Sequence, residues 1–255
     1  MTKQLPNFFT LLNLFFGCLA IVCGLQSGII LSVRPEGSLY FDVPEKIWMA
    51  SLFVGLAAVV DFLDGFLARA FKADSAMGKQ LDSLADLVSF GVAPALLVYH
   101  FLRLGWAHEP AAMELDSVLL WPAFFLPLAA AWRLARFNLQ PSSLAVFIGL
   151  PVPAAGLFFA SLPLVYWHVD QDWIVSVLLN VYFLYALIAL FCYLMVSRLP
   201  LLTLKFTSFD WATNRPRYLL LVFSVVSILF LQWLALPIII ILYVLLSLLF
   251  KNQLA

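Results

Sequence analysis

Residues 61–91 read DFLDGFLARAFKADSAMGKQLDSLADLVSFG. The stretch is mostly apolar, yet it carries four aspartates: Asp61, Asp64, Asp82 and Asp86. An ionised carboxylate in a membrane helix costs about 3 kcal/mol on insertion scales, so four of them need compensation by a cation. An ion-pair network is one reading, but only Arg69 and Lys72 are close in sequence, and two basic residues are too few to neutralise four carboxylates. The pattern favours a site for divalent metal.

Helical spacing places the aspartates on two stripes. Asp61 and Asp64 are three residues apart, whereas Asp82 and Asp86 are four apart, and both spacings keep side chains on one face of a helix. At 1.5 Å per residue, Asp61 and Asp86 each lie roughly 12 Å from the short connection between the two helices. An antiparallel hairpin with the four carboxylates around one cavity is therefore predicted. The same stripes carry three small residues, Gly65, Ala68 and Gly78. Small residues at such spacing are typical either of helix packing or of a site where a bulky ligand approaches the backbone.

The composition is that of an integral membrane protein. Of the 255 residues, 64% are hydrophobic and 11% are charged, and the mean hydropathy is +1.02, whereas a soluble domain has roughly 25% charged residues. We predict an all-α fold, a polytopic transmembrane helix bundle that forms one domain over residues 1–255. The motif-bearing core extends to about residue 196, and a C-terminal helix pair covers about 218–250. The sequence shows no nucleic-acid-binding pattern.

About eight transmembrane helices are expected from the apolar runs, because each run is long enough to approach a hydrocarbon core of about 30 Å. Pro237 is expected to separate the last two helices, since proline removes a backbone donor. The predicted spans are Phe8–Ser32, Lys46–Ala70, Lys79–Arg103, Leu119–Asn138, Ala145–Trp167, Trp173–Val196, Tyr218–Leu234 and Pro237–Phe250.

The basic residues give an orientation. With these spans, all but Arg34, Lys46 and Arg103 of the 14 Lys and Arg residues fall on one side. Positive charge accumulates on the cytoplasmic side of membrane proteins. The chain is therefore expected in the cell membrane, as a multi-pass protein with both termini and the aspartate cluster at the cytoplasm.

The ligand set indicates the kind of metal and the kind of chemistry. Carboxylate oxygens without His or Cys favour a hard cation, Mg²⁺ or Mn²⁺, with Ca²⁺ possible on the same grounds. Four carboxylates at two levels can hold two divalent ions with bridging residues. Two ions suit phosphoryl chemistry, because they stabilise charge on the attacking and leaving oxygens of an in-line displacement.

The spacing of the motif also resembles a known signature. The residues spell Asp61-x2-Asp64-Gly65-x2-Ala68-Arg69-x8-Gly78-x3-Asp82-x3-Asp86, which is similar, without a departure, to the signature of the CDP-alcohol phosphatidyltransferases. The resemblance implies a membrane enzyme that moves a phosphatidyl group from a CDP-activated lipid to an alcohol and releases CMP.

The tail of the motif resembles one branch of that family. Residues 82–95, DSLADLVSFGVAPA, are similar to the branch that takes CDP-diacylglycerol as donor and L-serine as acceptor, and so are Pro6-Asn7-x2-Thr10, residues 133–138 and Gly149-Leu150-Pro151. A homodimer among membrane lipids is also implied by the resemblance alone.

The resemblance assigns roles to matching positions. Asp61, Asp64 and Asp82 would hold the first ion, and Asp61, Asp82 and Asp86 the second. Asp86 would double as general base for the serine hydroxyl, since an alcohol is a poor nucleophile until a positioned base takes its proton; a ligand-only role for Asp86 is the alternative. The CDP-binding residues implied are Asn7, Thr10, Asp64, Gly65, Ala68, Arg69 and Gly78.

Two arginines are candidates for binding serine. Arg133 and Arg136 lie three residues apart near the predicted cytoplasmic end of the fourth helix, where a guanidinium can hold a carboxylate by two hydrogen bonds. Arginines at helix ends also reach commonly to lipid phosphates. Both interpretations are open from sequence.

Two other functions compete with this one. The same chemistry can use another acceptor, glycerol 3-phosphate or inositol, or an ether-linked archaeal lipid as donor. A divalent-cation transporter would use the aspartates as a transit site, but transporter sites usually lie near the midplane between repeated halves. Here the acids cluster toward one surface on one hairpin, and the sequence shows no repeat.

Overall fold

The computed structural model describes residues 5–33, 39–44, 46–70, 75–108, 116–139, 147–202 and 210–250, which form a helical bundle. The helices are α1 (Leu5–Gln26), α2 (Ile47–Ala70), α3 (Ala76–Asp86), α4 (Ala93–Ala107), α5 (Phe125–Leu139), α6 (Val152–His168), α7 (Asp172–Leu179), α8 (Val181–Val196), α9 (Trp211–Leu231) and α10 (Ala235–Leu249). The short strands are β1 (Ile30–Val33), β2 (Leu39–Asp42), β3 (Phe147–Ile148) and β4 (Pro200–Leu201). The all-α fold class is confirmed.

The motif-bearing part consists of three helices in contact. α1 packs along α2 and also touches α3. Ser75 caps α3 because its hydroxyl accepts a hydrogen bond from the Gly78 backbone N–H, one of the donors left unpaired at a helix start. From α3 the chain passes through a π-helical segment, Leu87–Val92, directly into α4, so that Ala76–Ala107 is one long apolar helix.

Burial is arranged as a membrane requires. The largest fully buried side chains include Phe101, Leu102 and Leu104 of α4 and Phe159 of α6, so α4 and α6 lie at the centre. α9 instead exposes a continuous apolar surface, which in a membrane protein faces lipid; its members include Leu221, Val222, Phe223, Ile228, Leu229 and Phe230.

Several predicted boundaries are wrong at their ends. The first helix ends at Gln26 rather than Ser32, because Ile30–Val33 pairs with Leu39–Asp42 as an antiparallel hairpin. The fifth begins at Val152 rather than Ala145; Phe147 and Ile148 pair with β4, and residues 140–146 lie outside the described part of the chain. The fourth span begins as a 3₁₀-helix, Ser117–Phe124, that contains Pro122.

The predicted sixth helix is broken. α7 and α8 meet at Asn180 with a bend of 66°. The Asn180 side chain accepts a hydrogen bond from the Phe183 N–H at 3.0 Å, so the break starts a newly capped helix.

Pro237 does not make the predicted break between the last two helices. The chain turns at Gln232, whose φ is +46°, and a short 3₁₀ turn follows over Gln232–Leu234. Pro237 then lies in the first turn of α10, where its missing N–H has no helical partner to lose. α9 and α10 pack against each other across the break.

A multi-pass membrane protein is supported, but the count of eight spans is not confirmed. Among the described residues, five helical stretches are long and apolar enough to cross a membrane, or six if α7 and α8 form one bent span. Val152–His168 has only 17 residues, and Asn214–Leu249 counts as one stretch despite its break at Gln232.

The bend at Asn180 depends on a close approach of two backbones, which gives a test of the fold. A Cβ on Gly105 of α4 would lie 2.3 Å from the Leu179 carbonyl oxygen. We expect Gly105→Ala to lower the free energy of unfolding by about 1–3 kcal/mol, the usual effect of overpacking. The matched control is Gly55→Ala in α2, where a Cβ would meet no atom within 4 Å. Thermal unfolding in detergent would contradict this packing if both variants melted like the parent protein.

Candidate active site

The four predicted aspartates converge where α2 and α3 face each other. One carboxylate oxygen from each of Asp61, Asp64 and Asp82 lies within 4.8 Å of the others. Asp86 is outside that group of three, but its carboxyl group is in hydrogen-bonding contact with Asp61, as is that of Asp82. Asp61 is thus the central member of the cluster.

Helix α1 supplies polar partners to this cluster. The Thr10 hydroxyl donates a hydrogen bond to Asp64 Oδ2 at 2.8 Å. The Asn13 amide Nδ2 donates to Asp86 Oδ1 at 3.3 Å. Thr10 and Asn13 are both buried in an otherwise apolar helix, so α1 is positioned against the cluster by side chains that contact its two most buried carboxylates.

The electrostatics of the cluster call for a cation. Two unit charges about 4 Å apart repel by about 4 kcal/mol at an effective dielectric constant of about 20, and only about 5% of Asp64 and 6% of Asp86 is exposed to solvent. One carboxylate oxygen from each of Asp61, Asp64 and Asp82 lies within 4.8 Å of the other two, which is close enough for the three to bind one ion. Because all the donors are carboxylate oxygens, the site fits a hard divalent ion.

The residues expected to bind CDP lie beside the cluster. The Asn7 amide Oδ1 is 3.0 Å from the place where a Cβ on Gly78 would stand, so α1 and α3 touch at this glycine. Gly65 and Ala68 are half-buried on the α2 stripe. Arg69 lies in α2, but its side chain is outside the described residues.

The two arginines of α5 have different surroundings. Arg133 is 6% exposed, and its guanidinium lies 5.3 Å from the centre of the Phe137 ring. Within the part of the chain that the structure describes, its Nε has no hydrogen-bond partner. It is also close enough to Asp86 for the two charges to interact. Arg133 is therefore a buried cation whose charge interacts with the cluster through Asp86.

Arg136 is held at the end of α8. Its guanidinium donates hydrogen bonds to three carbonyl oxygens, those of Val196 at 2.7 Å, Ser197 at 3.0 Å and Met195 at 3.3 Å. Helix ends leave such carbonyls unpaired. This arrangement joins α5 to α8 and commits Arg136 to a protein contact.

Two residues near the site were missed by sequence reasoning. Asn13 follows Asn7 and Thr10 at intervals of three residues, and this polar stripe in an apolar helix is a signal that could have revealed it. Tyr243 of α10 lies near Arg133 and donates a hydrogen bond to the Leu202 carbonyl at 3.0 Å. Its apolar neighbourhood in sequence carries no comparable signal.

The fold and the site together define a helical membrane protein with a cluster of carboxylates, on two successive helices, that could hold a cation. The chain belongs to the CDP-alcohol phosphatidyltransferase family, whose model matches residues 3–249. The expectation drawn from the aspartate motif is thereby confirmed at the level of the family.

Several relatives of the chain are named CDP-diacylglycerol–serine O-phosphatidyltransferase. The chain is 38% identical over 121 residues to that of Bacillus subtilis, covering 48% of this chain and 63% of the relative. It is 33% identical over 172 residues to that of Mycobacterium leprae, covering 64% and 52%, and 32% identical over 190 residues to that of Saccharomyces cerevisiae, covering 66% and 61%. The matched parts are thus less than two thirds of each relative's length.

The central position of Asp61 makes it the sharpest test of the cation site. We expect Asp61→Asn to weaken Mn²⁺ binding by at least about 10- to 100-fold. Mutating a residue that only hydrogen-bonds to a metal ligand already lowers metal affinity by about that factor, and Asp61 would be a ligand itself. The measurement is Mn²⁺ titration followed by electron paramagnetic resonance on the detergent-solubilised protein. Asp170→Asn, which changes an exposed aspartate away from the cluster, should bind like the parent. Equal affinities for all three proteins would rule out the cluster as the site.

Proposed function

We propose that this chain transfers the phosphatidyl group of CDP-diacylglycerol to the hydroxyl of L-serine and releases CMP. The observation that carries the proposal is that Arg133, a buried cation, interacts electrostatically with Asp86 of the acidic cluster, in a chain that belongs to the family. It puts a cation suited to serine's carboxylate next to a carboxylate suited to take the proton of serine's hydroxyl. The shared name of the relatives supports the same acceptor.

The reaction is a displacement at phosphorus. The serine Oγ forms a bond to the phosphorus that carries diacylglycerol, the bond from that phosphorus to the oxygen of CMP breaks, and the hydroxyl proton moves to Asp86. The residues that would hold two divalent ions, Mg²⁺ or Mn²⁺, are Asp61, Asp64 and Asp82 for one and Asp61, Asp82 and Asp86 for the other. Such ions supply neutralisation of the diphosphate and of the departing CMP.

The chain's own residues would orient the donor. Thr10 fixes the Asp64 carboxylate by a hydrogen bond, and the contact of Asn7 with Gly78 leaves a surface without a side chain on α3. The proposed nucleotide surface comprises Asn7, Thr10, Asp64, Gly65, Ala68, Arg69 and Gly78.

Between the two arginines, we assign the serine carboxylate to Arg133. No described residue hydrogen-bonds to the Arg133 Nε, whereas Arg136 already donates to three carbonyl oxygens. Arg136 then serves the acceptor site indirectly, by joining α5 to the end of α8.

Location follows from the substrates and from the distribution of basic residues. Serine and CMP are water-soluble, whereas the donor's acyl chains lie in the bilayer, so a site near one membrane surface can reach both. We propose the cytoplasmic membrane, with the site and both termini toward the cytoplasm, on the basis of the positive-inside pattern. A homodimer stays a prediction from the family resemblance.

The proposed reaction is tested by CMP release from purified protein in CDP-diacylglycerol micelles. We expect release that depends on L-serine, stops with a chelator and returns with Mg²⁺ or Mn²⁺, because the carboxylates alone cannot neutralise the diphosphate. Glycerol 3-phosphate and inositol serve as parallel acceptors. Release with one of these and none with serine would overturn the acceptor, and metal flux in proteoliposomes without any CMP release would overturn the reaction class.

Because the serine carboxylate is assigned to Arg133 and not to Arg136, alanine variants of the two arginines should differ in their effects. We expect Arg133→Ala to raise the serine KM at least about tenfold, since a hydrogen bond to a charged group contributes about 1.5–3 kcal/mol. Arg136→Ala should instead lower the thermal stability, as three carbonyls lose their donor. Arg103→Ala, at an exposed position on α4, is the control for loss of a surface arginine. A serine KM unchanged in Arg133→Ala places the carboxylate elsewhere.

A further inference from the structure

Asn13 lies between the aspartate cluster and the π-helical segment and contacts both. The residue is fully buried. Its side-chain Nδ2 donates to Asp86 Oδ1 at 3.3 Å, and its backbone carbonyl accepts a hydrogen bond from the Ser89 hydroxyl at 3.0 Å. Through this one residue, α1 is hydrogen-bonded to Asp86, which directly precedes the π-helical segment, and to Ser89, which lies within it.

The approach of α1 to this segment is unusually close. A Cβ on Gly17, one turn after Asn13, would lie 2.3 Å from the Ser89 Oγ and 2.9 Å from its Cα. Only glycine leaves room for Ser89 at this place. The π-helical hydrogen-bond pattern begins at Leu87, directly after Asp86, and such segments occur frequently at functional sites. The register of Asp86 relative to α1 is therefore fixed by packing as well as by the amide.

The other end of the Asn13 amide supports a functional role. Its Oδ1 is buried and has no hydrogen-bond partner among the described residues. An unsatisfied buried acceptor is unfavourable, and a residue present only for packing would be better replaced by an apolar one of similar shape. The amide is oriented with its donor toward a carboxylate, and this orientation leaves the acceptor without a partner.

We propose that Asn13 is a positioning residue for Asp86 in the proposed transfer to serine. By donating to Oδ1, the amide fixes the rotation of the carboxylate and leaves Oδ2 to take the proton of the acceptor hydroxyl. A neutral amide can do this without placing a second cation beside the carboxylate, so the negative charge of Asp86 stays available to a dication. The inference rests on the proposed function, since it assumes that Asp86 receives a proton during turnover.

The test compares kcat, the serine KM and Mn²⁺ affinity in the full-length protein. Asn13→Asp keeps the shape of the side chain and removes the donor, and Asn13→Ala removes both. We expect kcat to fall roughly 10- to 100-fold in each, the usual effect of removing a group that orients a functional ligand. In Asn13→Ala the serine KM should change less than about threefold, because Arg133 holds the carboxylate of the acceptor. The kcat should stay low even at Mn²⁺ concentrations that saturate the variant, because the amide orients Asp86 itself and not only the ion that Asp86 would hold.

Two further variants distinguish positioning from general stability. Ser27→Ala, which removes a buried hydroxyl from the same end of the chain at a distance from the cluster, should keep the parent's kcat. In an Asp86→Asn background, Asn13→Ala should lower the residual kcat no further, since a residue that acts through Asp86 is not additive with it. If the Asp86→Asn protein has no measurable turnover, the single Asn13→Ala variant decides: a lower kcat with an unchanged serine KM supports positioning.

The outcomes separate the inference from the function on which it rests. A parent protein without serine-dependent CMP release overturns the proposed function and the inference together. A parent that is active, with Asn13 variants that keep kcat or that regain the kcat of the parent at saturating Mn²⁺, overturns the inference alone. If Asn13→Ala does not fold, Asn13→Asp supplies the same comparison of kcat with KM.

Discussion

Repulsion among four carboxylates in a small, partly buried volume is the constraint on which the rest of the structure depends. Three carboxylate oxygens from two helices lie within 4.8 Å of one another, and a fourth carboxyl group contacts the central aspartate. Such an arrangement is unfavourable for the isolated chain in a medium of low dielectric constant. The proposed divalent cations would offset this repulsion by neutralising the carboxylates.

The bundle holds the carboxylates in place against this repulsion through neutral hydrogen bonds from α1. Thr10 reaches Asp64, and Asn13 reaches Asp86. Neither donor carries a charge, so each orients its carboxylate without replacing the cation. Beyond α1, the buried Arg133 gives the site a positive side next to Asp86, while Arg136 is used to close the end of α8. Two arginines three residues apart therefore have different interactions: Arg133 interacts with Asp86, whereas Arg136 donates hydrogen bonds to helix carbonyls.

Much of the fold was predictable because its causes are local. Apolar runs predicted the helices, and the spacing of the aspartates predicted that α2 and α3 would bring them together. The errors lie where the backbone is decided by distant contacts. The first helix ends early because residues 30–33 pair with 39–42, and the fifth begins late because residues 147–148 pair with 200–201. The last helix pair breaks at Gln232 and not at Pro237, since a proline in the first turn of a helix loses no hydrogen bond.

The sequence by itself determined the class of protein, the convergence of the aspartates and the family, since these follow from composition and from residues a few positions apart. The tertiary structure alone decided which polar groups touch which aspartate, which arginine is bonded to helix carbonyls and which residue of α1 reaches Asp86. Those contacts join residues more than fifty positions apart in the chain. They depend on how helices rotate and pack against one another, and that rotation is fixed by side chains throughout the bundle rather than by any local pattern.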